Sequence, residues 1–298
     1  MNHTWTLTKS RMRLALRNRA FIFFSLAMPL TFLFLYLGIF ARFFRGGGPA
    51  GVPYLLAPVI AISVMGSFWG LSVQLVMFRE QGILRRFRLT PIGAGAMLAS
   101  SIASNYVLTL PTVLVEFLLA RWVFHLDRWG NLWGAFVLVT LGAITFASFG
   151  LIVASVTNTM QETQIINQTI WSAFLFLSGA TVPLPILPAA VQTVAVFLPA
   201  TYLVTGLQQT MVMGTSIWRL WPDLIALAGG FVFAFFISVN LFRWEPEEKV
   251  TRQAKAWAAA TVIPFLLLGV WENARGSLRN DAHSVLDFVS RGSGGISR

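Results

Sequence analysis

Few side chains in this chain of 298 residues could do chemistry, and their spacing favours mechanical coupling over catalysis. The densest group lies in Phe78–Pro91, FREQGILRRFRLTP, where Glu80, Gly82, Arg85, Arg86, Arg88, Thr90 and Pro91 stand between two apolar runs. Ile83, Leu84 and Phe87 fall at i, i+1 and i+4, one stripe of a short helix, so the arginines project elsewhere. Glu80 is expected in the first turn of that helix, where a carboxylate complements the dipole. Pro91 disfavours α conformation at Thr90 and ends the element. Such a helix at the inner face of a membrane can receive a push from a soluble partner. An ordinary basic loop is the other reading.

Two further groups carry polar chemistry inside apolar sequence. Gln161, Gln164 and Gln168 recur at i, i+3 and i+7, and Ser172 continues that face. A polar stripe on a span should face protein or water, as packing hydrogen bonds or as part of a substrate path. Glu116 is the one carboxylate well inside an apolar run. An intramembrane acid is a functional candidate by default, as a proton site or a cation contact. The plainer alternative is a structural pair with Arg121, although a separation of five residues is poor helical geometry.

Other chemistries lack their residues. Cysteine is absent, which excludes disulfides, thiol catalysis and Cys-ligated metal. His3, His125 and His283 are scattered, without metal-ligand spacing. A P-loop needs Gly-x-x-x-x-Gly-Lys-Ser/Thr, and none of the three lysines (Lys9, Lys249, Lys255) follows a glycine. The chain is therefore expected not to be an enzyme, to hold no cofactor of its own and to draw energy from a partner chain or an ion gradient.

The elements that must position these residues are membrane spans. Hydrophobic residues make up 56% of the chain and charged residues 11%, with a mean hydropathy of +0.70. One soluble core cannot hide that much apolar surface. Gly46–Phe78 runs 33 residues without a charge, and Leu89–Val115 runs 27. A crossing needs about 20 residues, and the runs do not alternate as barrel strands would. The predicted class is an all-α membrane protein with six spans: about 20–41, 54–78, 96–120, 132–156, 164–182 and 223–242.

Charge placement sets the expected topology. Segments 1–19, 79–95, 157–163 and 243–255 hold 13 Lys and Arg, against 5 in the opposite loops. That asymmetry places the N-terminus in the cytoplasm of a multi-pass cell-membrane protein. The net charge of +11 is thus a topology signal, not a nucleic-acid footprint. Arg11 to Arg19 with Trp5 also suit an amphipathic helix on the inner bilayer surface. Pro183, Pro185, Pro188 and Pro199 break the long run Thr163–Trp218. A re-entrant hairpin over about 184–214, entered from the outer face, keeps Arg243–Lys255 inside. Gly66 and Gly70 form a Gly-x-x-x-Gly that would allow close helix approach.

Residues 1–250 read as the transmembrane domain, and 251–298 as an apolar segment with a polar tail. Ala256–Trp271 is 16 uncharged residues, about 24 Å of helix and short for a span. A seventh span and an interfacial helix both fit it. Residues 272–298 are expected to be polar and poorly ordered.

Glu80, Gly82, Arg85 and Thr90–Pro91–Ile92 resemble the coupling-helix motif of permease subunits of type-2 ABC exporters. A second block, Leu177–Ser178–Gly179, Pro183, Leu187–Pro188, Leu198–Pro199, Thr201–Tyr202 and Gly206–Leu207, is similar to that family's fifth span and outer hairpin. The resemblance covers about residues 5–245, and Gln208 stands where the family commonly has Arg. It implies six spans, a second permease copy, and a separate ABC ATPase pair that binds ATP and Mg and docks under the coupling helices. It also implies that the fifth span borders the translocation path, and it implies export; the expected substrate is hydrophobic or amphipathic, with lipid-linked molecules and glycans also open. A self-contained gradient-driven secondary transporter is the alternative; it would be expected to show inverted repeats and broken spans.

Overall fold

The computed structural model describes residues 27, 30–36, 51–88, 93–123, 129–245 and 251–294. The helical stretch 30–36 (α1) lies within the expected first span, the rest of which lies outside the described residues, as do Trp5, Arg11–Arg19, Thr90 and Pro91. The longer elements are α2 (Gly51–Glu80), α3 (Ile83–Arg88), α4 (Ala94–Trp122), α5 (Leu132–Val156) and α6 (Met160–Leu177). After them come α7 (Ala189–Ala195), α8 (Pro199–Val212), α9 (Trp221–Leu241), α10 (Arg252–Ala260), α11 (Ile263–Arg275) and α12 (Ser277–Gly294). No strand occurs among the described residues, and the chain is an all-α membrane protein. Among those residues five helical runs are long and apolar enough to cross a bilayer, or six if the bent pair α7–α8 counts as one.

At the centre α2 packs along α5, and α9 packs on the other side of α5. The close approach comes from glycines of α5. A Cβ at Gly150 would fall on the Phe68 carbonyl of α2, and one at Gly142 would press on Val64 and Leu203. Gly66 and Gly70 take no part in that contact with α5. Among the described residues nothing stands within 4 Å of a Cβ at Gly66, and Gly70 faces the Asn105 amide of α4 at 3.4 Å. Phe68, Phe146 and Phe174 fill the middle of the bundle edge to face, with ring centroids 5.4–6.0 Å apart. Across to α9, the Thr145 hydroxyl donates to the Leu227 carbonyl at 2.8 Å.

Segment 184–214 folds as the proline pattern predicts. A 3-10 turn, Leu184–Ile186, leads into α7, and α8 follows at a bend of 98°. Pro188 and Pro199 each start a helix, where a missing N–H costs nothing. The bend is secured by its own hydroxyls: Thr201 donates to the Ala195 carbonyl at 2.6 Å and Tyr202 to the Val196 carbonyl at 2.8 Å. The far end of α8 is tied to the start of α5, since the Asn131 N–H donates to the Thr210 carbonyl at 2.7 Å. α6 stops at Leu177, earlier than expected, because Gly179 takes a left-handed φ of 88° five residues after Phe174 packs into the core.

The tail departs from expectation. Ser277–Gly294 is a helix whose Leu278, Ala282, Val285 and Val289 are buried, and it packs on α8 and the 3-10 turn. Its sequence is polar overall, but those apolar positions recur at i, i+4, i+7 and i+11, one helical face.

Because a Cβ at residue 150 would meet backbone that cannot swing away, Gly150→Ala should lower unfolding stability in detergent by about 3 kcal/mol. Gly66→Ala should stay within about 0.5 kcal/mol. Equal effects would show that α2 and α5 do not meet at Gly150.

Candidate coupling site and membrane-buried polar groups

The charged segment is divided where its glycine stands. α2 runs on to Glu80, Gln81–Gly82 form a turn with Gly82 at φ 67°, and α3 begins only at Ile83. Glu80 is therefore not in the first turn of the short helix, as expected, but at the last residue of α2. Its carboxylate serves a different helix start: Glu80 Oε1 accepts the Met160 N–H of α6 at 2.8 Å. Leu84 is fully buried among Leu71, Leu75, Met97 and Leu98, with Phe87 against the same cluster. Arg85 and Arg86 are exposed, and Arg88 closes the helix.

Beside Glu80, the structure assembles a node that sequence reasoning missed. Arg79 is 2% exposed. Its two terminal nitrogens donate to the Ala154 and Thr157 carbonyls at 2.8 and 2.6 Å, at the end of α5. From the end of α9, Arg243 donates to the same Thr157 carbonyl at 2.6 Å and to Asn158 Oδ1 at 3.1 Å. Two guanidinium groups thus take up carbonyls that a helix end leaves without intrahelical partners. The turn after them is capped for the next helix. Thr159 Oγ1 accepts the Glu162 N–H at 3.2 Å, while Glu162 Oε2 accepts the Asn158 N–H at 2.8 Å. The ends of α2, α5, α6 and α9 meet within this one network. Thr159-x-x-Glu162 was the available sequence signal, whereas Arg79 and Arg243 counted only as positive-inside residues.

Gln161, Gln164 and Gln168 all lie on the outward face of α6 and Ser172 is half-buried, so the protomer does not draw this stripe into its own interior. The stripe it buries instead is Thr163, Asn167 and Phe174, with Asn167 Nδ2 donating to Ser72 Oγ of α2 at 2.7 Å. Gln168 and Ser172 are joined locally, the Ser172 hydroxyl donating to the Gln168 carbonyl at 2.8 Å.

Glu116 is fully buried between α4 and α2, where Ser63 Oγ donates to Oε1. Arg121 stands exposed at the end of α4, so the anticipated pair is replaced by a hydroxyl on another helix. Oε2 of Glu116 has no hydrogen-bond partner among the described residues. Ser67 and Thr109 share a hydrogen bond of 3.1 Å one turn away, and Gly70 faces Asn105 one turn further. The α2–α4 contact is consequently a polar seam with Glu116 at one end.

The node makes a definite demand on side-chain shape, since each guanidinium reaches two acceptors. Arg79→Met should cost about 3 kcal/mol of unfolding stability, and Arg79→Lys should recover less than half, because a point charge cannot span both carbonyls. Thermal unfolding of purified protein reads this, and full rescue by Lys would refute the two-carbonyl clamp.

A family model described as ABC-2 type transporter matches residues 2–212. The chain is 23% identical over 224 residues to YvfS of Bacillus subtilis (strain 168), named as a transport permease, covering 73% of this chain and 89% of that one. To the linearmycin resistance permease protein LnrN of the same organism it is 24% identical over 166 residues, 56% of this chain and 42% of the relative. To nodulation protein J of Rhizobium leguminosarum bv. trifolii it is 26% identical over 227 residues, 73% and 84% of the two chains. The family match spans the polar seam, the α2–α3 turn and the bent pair α7–α8, within a multi-pass helical bundle. This transport permease belongs to the ABC-2 type transporter family.

Proposed function

We propose that the chain is the membrane-spanning subunit of an ATP-driven exporter, working as a pair with a separate ABC ATPase that binds ATP and Mg. The observation that carries this reading is the network joining the α2–α3 turn to the ends of α5, α6 and α9. Glu80, Gly82, Arg85, Arg86, Arg88, Thr90 and Pro91 form the proposed docking element, with the N-terminus and this element in the cytoplasm. The exposed Arg85 and Arg86 offer charge to a partner, while Leu84 roots α3 in the bundle. A push on α3 would pass through Leu84 to α2 and α4, and through Glu80 to α6. ATP biases the bundle only if the ATPase pair grips its two states with different affinity.

The substrate is proposed to be hydrophobic or amphipathic. Gln161, Gln164, Gln168 and Ser172 would meet it, because their face of α6 is turned away from the rest of the protomer, where a second copy would lie. Outward movement accords with the name of one relative, a linearmycin resistance permease. Residues 1–250 would make up the transporting domain.

Mild-detergent purification from native membranes should recover a stoichiometric P-loop ATPase, identified by mass spectrometry. Within that complex, Glu80→Ala should cut transport-linked ATP hydrolysis about tenfold, the loss of a single interaction. The complex should remain assembled, because Leu84 still seats α3. Unchanged hydrolysis would remove Glu80 from the coupling route.

One observation favours a second reading, a gradient-driven carrier: the buried Glu116, whose Oε2 has no hydrogen-bond partner among the described residues. Under that reading Glu116→Gln abolishes the pH dependence of transport. Under the ATP-driven reading the pH profile of substrate efflux from inverted vesicles should survive the substitution.

A further inference from the structure

We propose that Arg252–Arg275 crosses the membrane a seventh time and delivers α12 to the face opposite the α2–α3 turn, where it straps the re-entrant hairpin. The segment lies beyond the residues matched by the family model. Its path is fixed by its neighbours along α9. Ala258 packs on the cluster of Ile152, Ala234 and Ile237, near the end of α9 where Arg243 binds Thr157. Further along, Phe265 fills the space above Gly230 and stands edge-on to Phe149, with centroids 5.6 Å apart. Trp271 then reaches Trp221 at the opposite end of α9, at 5.5 Å. The segment therefore runs antiparallel to α9 over its whole length. If α9 crosses, so does Arg252–Arg275.

Its surface suits hydrocarbon. Ile263, Leu266, Leu267 and Val270, at i, i+3, i+4 and i+7, form an exposed apolar stripe, while Phe265, Gly269 and Glu272 face inward. The uncharged core of 16 residues is short alone, but the helical run has 24 residues, about 36 Å. Arg252 and Lys255 begin it and Arg275 ends it, places from which long side chains reach the interfaces. Trp257 and Trp271 lie near the two ends, as interfacial aromatics do.

The opposite face is also where polar groups gather. A cavity of about 230 Å³ there is lined by Gln209, Arg219, Asp223, Glu272, Arg275 and Asp281. Gly276 turns the chain with a φ of 71°, and Glu272 accepts the Ser277 hydroxyl at 2.7 Å and the Leu278 N–H at 3.1 Å. Burial pushes the Asp281 carboxyl up from its ordinary value, opposed by a hydrogen bond with Gln209 of α8. α12 then lies on the hairpin through Leu278 and Ala282 against Leu184, and Asn273 Nδ2 donates to the Thr193 carbonyl of α7 at 3.2 Å. Moving Arg275, Arg279 and Arg291 to this side leaves 8 basic residues there against 13, so the positive-inside balance persists.

Naming this face the outer one rests on the proposed cytoplasmic position of the α2–α3 turn, and the test separates the two claims. The chain has no cysteine, so single-cysteine variants report one position each. Ser284→Cys on the exposed face of α12 should react with a membrane-impermeant maleimide in intact cells, and Gln81→Cys only after permeabilisation. Labelling of both positions from one side would overturn the seventh crossing. Gln81→Cys labelled outside, with Ser284→Cys protected until permeabilisation, would keep the crossing and reject the cytoplasmic coupling turn. For the strap, Val285→Cys, buried against the bundle, should label about tenfold more slowly than Ser284→Cys, the protection that about 1.4 kcal/mol of docking supplies. Equal rates would overturn the strap.

Discussion

The end of α5 is held by two guanidinium groups that converge on a single backbone carbonyl, that of Thr157, and much of the bundle hangs from this point. A helix that packs on both sides along its length cannot fray at its end without disturbing its neighbours. In a bilayer the difficulty is sharper, because backbone groups lacking partners have little water to turn to. Arg79 lies in the last turn of α2 and Arg243 follows α9, so the two helices that sandwich α5 also close it. Glu80 then uses the adjacent position to start α6. Positive charge meets a helix C-terminus and negative charge meets an N-terminus, both in the favourable sense of the dipole.

This arrangement explains why a short charged segment can matter to distant helices. α3 has only six residues and could not transmit force as a free element. It is seated by Leu84 in a cluster drawn from α2, α4 and α5, so its displacement is theirs as well. Glu80 and Arg79 are neighbours in sequence but bind opposite sides of the α5–α6 turn. A tilt of α2 must therefore stretch one contact or carry the turn along. The second course keeps every hydrogen bond, which makes the turn the natural follower of α2.

The spans and the hairpin could be read from sequence because charge-free length and proline position are local properties. Contacts could not. Glu80 read as a residue of the short helix's first turn, but the left-handed turn at Gly82 leaves it at the end of α2. Glu116 stood out as an acid in an apolar run, whereas its hydroxyl partner Ser63 lies 53 residues away. The Gly66/Gly70 pattern says nothing of the tight α2–α5 approach, which rests on Gly142 and Gly150, eight apart on α5. Segment 272–294 looked disordered because its net composition is polar. Its buried positions form one narrow stripe, visible only once a neighbouring surface exists to receive it.

The re-entrant hairpin has the most to gain from that stripe. Its chain turns through 98° inside the fold, so the helical hydrogen bonds broken at the bend must be replaced locally. Thr201 and Tyr202 satisfy two of the carbonyls, but hydroxyls alone do not fix where the hairpin sits. α8 is fastened to α5 at Gly142 and at Asn131, while Leu184 of the 3-10 turn and Ala195 of α7 have their apolar neighbours in a separate cluster. α11 and α12 supply those neighbours through Phe265, Leu278 and Ala282. A hairpin anchored on one side by the bundle and on the other by the tail can shift only if the tail shifts with it. The segment beyond the family match is thereby part of the same mechanical unit.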